Sequence, residues 1–144
     1  MNRALSGRWY NQHGSELDLS VEADGRLHGK FRSGVGFPQP DEDFDVVGFA
    51  AGELVSFVVN FCRYDSITSW TGHFGEREGV QTVYALWHMT VGLPPGHEQQ
   101  LWQGIWSGAD TFLRVPTPAH ETGARPRPSH PVGGVVVSRG GENG

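Results

Sequence analysis

The chain has 144 residues, 37% of them hydrophobic and 19% charged, with 21 Gly and 9 Pro, a balance that fits one compact domain around a small core. Eleven Lys and Arg against sixteen Asp and Glu leave a formal charge of -5, which argues against a nucleic-acid binder, because such proteins need a basic face. The longest apolar run, Leu54 to Val59, is interrupted by Ser56 and falls far short of the ~20 residues that span a bilayer as a helix.

Residues 1–6 lack the apolar stretch of a secretory signal. From there to Val115, turn-forming residues recur about every ten positions: Asn11 to Gly14, Asp24-Gly25, Gly34 to Pro40, Gly52, Asp65-Ser66, Glu78-Gly79 and Pro94 to Gly96. Between them lie β-branched and aromatic stretches with no helical stripe, the pattern of an all-β chain. Strands are predicted near 8–12, 16–22, 27–35, 44–49, 53–63, 68–76, 80–91 and 101–115. Eight strands joined in sequence by short turns favour an eight-stranded antiparallel up-and-down β-barrel over residues 1–115, whose interior is wide enough for side chains or for one small ligand. Residues 116–144 hold five of the nine prolines, six glycines and no aromatic residue, and are expected to be a Pro/Gly-rich disordered tail. The single cysteine, Cys62, closes no intrachain disulfide and is expected to face outward.

Period-two alternation assigns Asn11/His13/Ser15, Phe31/Ser33/Val35, Ser66/Thr68/Trp70 and Trp87/Met89 to inward faces. A core built only for stability seldom buries so many polar groups. Inward Trp together with Asn, Ser, Thr and a carboxylate describes an apolar pocket with a few fixed hydrogen-bonding groups, the usual form of a small-molecule site. The seven histidines show no metal-ligand spacing, so neither a metal nor a cofactor is expected. No nucleophile elbow accompanies the available Ser, His and Asp. Trp9 reads as plain core, and Trp106 has no assigned role.

Four segments carry a family resemblance: Gly7-Arg-Trp-Tyr-Asn-Gln-His-Gly-Ser15, Ser69-Trp-Thr-Gly72, Leu86-Trp87 with Thr90, and Gly108-Ala-Asp-Thr-Phe112. In order and spacing they resemble successive strands of the avidin and streptavidin family. The resemblance implies non-catalytic binding of biotin inside the barrel. It places the donors to the ureido carbonyl at Asn11, Ser15 and Phe31, of which Phe31 has no hydroxyl to give. It places the acceptors of the ring N–H groups at Asp110 and Ser33, the walls at Trp70, Trp87 and Phe61 with Thr68, and the further lining at His13, Val35 and Met89. At the mouth, the valeryl carboxylate would meet Ser66, a backbone N–H near Gly36 or Phe37, and Tyr64 or Arg63. Trp102, eight positions before Asp110, matches the tryptophan that tetramers of this family lend across a subunit interface, which implies a homotetramer or at least a dimer. The family is secreted, although this chain shows no signal sequence.

Two other readings stay open at this level. The same barrel, altered by Phe31 and His13, would bind biotin only moderately or take another small ligand. A small hydrolase built on Asp110 and a histidine is the reading from a different class.

Overall fold

The alternating pattern becomes backbone in a computed structural model that describes residues 3–35, 38 and 42–116. The predicted tail, apart from Pro116, and the predicted mouth residues Gly36 and Phe37 lie outside the described residues. Among the described residues eight strands form one closed barrel: β1 (Gly7–Asn11), β2 (Glu16–Val21), β3 (Arg26–Arg32), β4 (Asp43–Ala51), β5 (Leu54–Asn60), β6 (Ser66–Arg77), β7 (Val80–Val91) and β8 (Ile105–Leu113). Each strand pairs antiparallel with the next, and β1 closes on β8.

Three predicted strands run too far. The stretch predicted as 27–35 ends at Arg32, where Ser33 bonds within its own loop. The stretch predicted as 53–63 stops at Asn60 and gives way to a 3-10 turn over Cys62–Tyr64, flanked by positive φ at Cys62 (50°) and Asp65 (54°) that no strand accommodates. The stretch predicted as 101–115 begins as a 3-10 segment over Glu98–Gly104 before β8 starts at Ile105. In the β6–β7 turn Glu78 and Gly79 both have positive φ (54° and 80°), as in the primed turns that match the twist of a hairpin.

The connections alternate between the two ends of the barrel. At one end they are tight: residues 22–25, 52–53 and 78–79. There Trp9, with none of its surface exposed, donates Nε1–H to the Leu5 carbonyl at 2.8 Å and meets the Phe74 ring edge-on at 5.9 Å. The Arg114 guanidinium lies 3.8 Å from the Trp9 ring centroid and bonds to Gln81 and to the carbonyls of Arg8 and Ala4. This end is plugged. Between it and the other end run Leu17, Leu19, Leu27, Val46, Val55, Phe57, Val59, Val83 and Phe112, all buried.

The plug yields a stability prediction. Trp9→Phe keeps most of the ring but removes the hydrogen bond to Leu5 and part of the surface under Arg114, so urea unfolding should show a loss of about 1–2 kcal/mol. An unchanged unfolding midpoint would mean that Trp9 does not hold this end shut.

Candidate functional site

At the opposite end the connections cover residues 12–15, 33–42, 61–65 and 92–104, the last three longer than any at the plugged end. Nearly every predicted site residue sits where a strand runs into one of them. Trp70 of β6 and Trp87 of β7 are register partners, as are Thr68 and Met89, so alternation aims all four at the interior. Trp70 and Trp87 are each 4% exposed, while Met89 packs against the core from the side.

Asp110 of β8 is the chemical centre. Its carboxylate is buried, and its Oδ2 accepts Nε1–H of Trp70 at 2.8 Å and Nδ2–H of Asn11 at 3.3 Å. Its Oδ1 accepts Nε2–H of Gln12 at 3.2 Å. Burial drives its pKa above the ordinary carboxylate value, against the opposing effects of the Trp70 N–H, the charge interaction with His13, and the amides of Asn11 and Gln12. A carboxylate offers about four lone-pair positions, so these donors leave capacity for one more.

Asn11 is held just as firmly. Its Oδ1 accepts the backbone N–H groups of His13 (3.0 Å) and Ser15 (2.9 Å), which fixes the β1–β2 turn and points the amide nitrogen at Asp110. The Ser15 hydroxyl accepts the Gly34 N–H at 2.9 Å and so ties this turn to the loop after β3. Gly34 is required there, because a Cβ would lie 2.5 Å from the His13 carbonyl oxygen. A hydroxyl that accepts keeps its own hydrogen to donate, so Ser15 and the second Asn11 amide hydrogen remain as donors for a ligand.

From Asp110 a column of rings leads to the mouth. Phe57 stacks on Trp70 at 5.1 Å, Phe31 meets Trp70 at 5.2 Å and Phe61 at 5.8 Å, and Phe44 meets Phe61 at 4.8 Å and Tyr64 at 6.1 Å. The column ends on the Tyr64 hydroxyl, which donates to Glu42 Oε1 at 2.7 Å, while Arg63 pairs with Oε2 of the same carboxylate.

The structure therefore brings together Asn11, Ser15, Phe31, Phe61, Thr68, Trp70, Trp87 and Asp110 as buried groups, with His13, Ser33, Val35, Tyr64, Ser66 and Met89 half-buried around them. Other predicted residues stand differently. Ser33 donates its hydroxyl to the Val35 carbonyl, inside its own loop. Tyr64 and Arg63 are engaged by Glu42. Trp102 is 68% exposed on the 3-10 segment before β8 and does not reach the pocket of its own chain. Sequence reasoning missed Gln12, Phe44 and Glu42. Phe44 alternates inward with Val46 and was recoverable; Gln12 sits in a turn, where polar residues are ordinary, and nothing in the sequence marked it. No group of three or more His, Cys, Asp or Glu suited to a metal occurs among the described residues.

The family model described as the Avidin family matches residues 1–115. Afifavidin from Afifella pfennigii is 31% identical over 126 residues, which cover 83% of this chain and 74% of that protein. Among solved structures, xenavidin shares 28% identity with a TM-score of 0.70, covering 80% of this chain and 100% of that one. Apo shwanavidin shares 28% identity with a TM-score of 0.64, over 77% of this chain and 100% of that one. The rhizavidin–biotin complex, at 24% identity and a TM-score of 0.66 over 82% of this chain and 98% of that one, shares the fold.

The buried carboxyl generates a pH prediction. An acid whose folded pKa is raised contributes fully to stability below its unfolded pKa, and that contribution is lost as pH rises through the elevated folded value. Asp110→Asn cannot ionise. Urea unfolding of both forms should therefore show the natural chain losing ground against Asp110→Asn as pH climbs above the ordinary carboxylate value; a difference independent of pH would show that burial does not burden the charge.

Proposed function

The chain belongs to the avidin family, and from that premise we propose that it binds biotin, without turnover, in the open half of its barrel. The observation that carries this reading is the Asp110 carboxylate, buried, oriented by Trp70, Asn11 and Gln12, and able to accept one more N–H. A ureido ring N–H supplies that donor, and the ureido oxygen accepts from Asn11 and Ser15. The bicyclic ring lies among Trp70, Trp87, Phe31 and Phe61, with Thr68 towards its sulfur. Enclosure by aromatic walls supplies most of the attraction, and the polar groups fix orientation.

Phe31 leaves the ureido oxygen one donor short of the family pattern, at a cost on the order of 1–3 kcal/mol. That moderates a tight site without abolishing it. The second reading, a barrel for another small ligand, draws on Phe31 and on His13, whose buried Nε2 adds polarity near Asp110.

Assembly into a dimer or tetramer belongs to the same reading. Phe49, Ser56, Thr71, Leu86 and Ala109 form one register row across the outer wall of β4 to β8. Phe49 and Leu86 on that row, with Leu54 and Tyr84 on the next, are 65%, 61%, 56% and 49% exposed. An apolar face of this extent marks an interaction surface. Trp102, exposed on its 3-10 segment, is the residue lent to a neighbour's pocket. An extracellular place of action rests on the family alone.

Calorimetric titration with biotin should give one site per chain; absence of heat would overturn the reading. Phe31→Tyr should restore the missing donor and slow biotin dissociation by about tenfold, whereas an unchanged rate would mean that the oxygen is already satisfied. Trp102→Ala should speed dissociation, and an effect on stability alone would contradict the shared pocket.

A further inference from the structure

Each end of the aromatic column holds a carboxylate with donors around it. Asp110 sits deep with N–H donors around it. At the mouth stands a second carboxylate, Glu42, with only 18% of its side chain exposed. Glu42 lies two residues before the inward Phe44, so alternation puts both on the same side of the chain. Phe44 contacts Phe61 and Tyr64, which connects Glu42 to the pocket wall rather than to the outer surface. Of the groups expected to receive a ligand's carboxylate, two side chains, the Tyr64 hydroxyl and the Arg63 guanidinium, are bonded to Glu42, which leaves Ser66 as the expected side-chain donor there.

We infer that Glu42 makes the mouth selective for the uncharged tail of a biotin amide, the linkage of biotin joined to an amine, over the free acid. This rests on the biotin reading above and refines it. Tyr64 has one hydroxyl hydrogen, and it is already donated to Glu42. A free valeryl carboxylate therefore arrives beside a like charge without that donor, and must displace Glu42 to gain it. A neutral amide meets no such repulsion, and its own N–H can donate to the Glu42 carboxylate. Arg63 reduces the repulsion, but its side chain is 70% exposed and its charge is screened by water.

The test is a comparison of dissociation constants for biotin and for biotinamide, its primary amide, on the natural chain and on Glu42→Gln, which keeps shape and hydrogen-bonding reach while removing the charge. The natural chain should bind the amide at least as tightly as the acid. In Glu42→Gln the preference should shift towards the acid by roughly tenfold, through tighter binding of biotin with little change for the amide. A natural chain that favours the acid, or a ratio unmoved by Glu42→Gln, would overturn the inference while leaving the biotin site standing. Binding of neither ligand would instead overturn the reading of the pocket, and this inference with it.

Discussion

A carboxylate buried in the wall of a small barrel is the constraint on which the other features converge. Desolvation penalises the charge of Asp110 and raises its pKa. The Trp70 indole, the Asn11 amide and the Gln12 amide oppose that with hydrogen bonds, and each is itself fixed. Trp70 is clamped by Phe57 and Phe31, Asn11 by the turn it caps, and Gln12 by the backbone of β8. The result is an acceptor oriented before any ligand arrives, which limits the ordering cost of binding.

The same groups close the barrel. β1 and β8 share only the pairs Tyr10 with Leu113 and Asn11 with Phe112, the shortest seam of the sheet. Gln12 extends it at the open end. Its amide donates to the Ala109 carbonyl at 3.0 Å and accepts the Thr111 N–H at 3.0 Å, and so stands in for one further peptide rung. Arg114 does the corresponding work at the plugged end, reaching the carbonyls of Arg8 and Ala4. Stability and function meet at Gln12, since the side chain that holds the seam also orients Asp110.

Much of this was legible in the sequence, for a physical reason. Period-two alternation and regularly spaced turns specify a barrel, and inward aromatic residues with a few polar ones specify a pocket. Of the eight buried groups, Asn11, Ser15, Phe31, Thr68, Trp70 and Trp87 follow from that pattern, whereas Phe61 and Asp110 were placed by the resemblance to the avidin family. Strand ends did not, because Cys62 and Asp65 adopt positive φ that no periodicity announces. Glu42 and Gln12 escaped because a charged or polar residue in a loop looks like ordinary solvation until its partner, remote in sequence, is known. Trp102 was singled out by the family resemblance, and its place on an exposed 3-10 segment gives it meaning only if a second chain is present.

Every role proposed for the pocket depends on Asp110 as the acceptor of a ligand N–H. The most direct measurement is the rate at which biotin leaves Asp110→Asn compared with the natural chain, each confirmed folded by its near-ultraviolet circular dichroism. Loss of a buried charge-assisted hydrogen bond, worth about 1.5–3 kcal/mol, predicts a dissociation rate faster by roughly ten- to a hundredfold. Equal rates would mean that biotin does not use this carboxylate, and that the pocket works by some other contact.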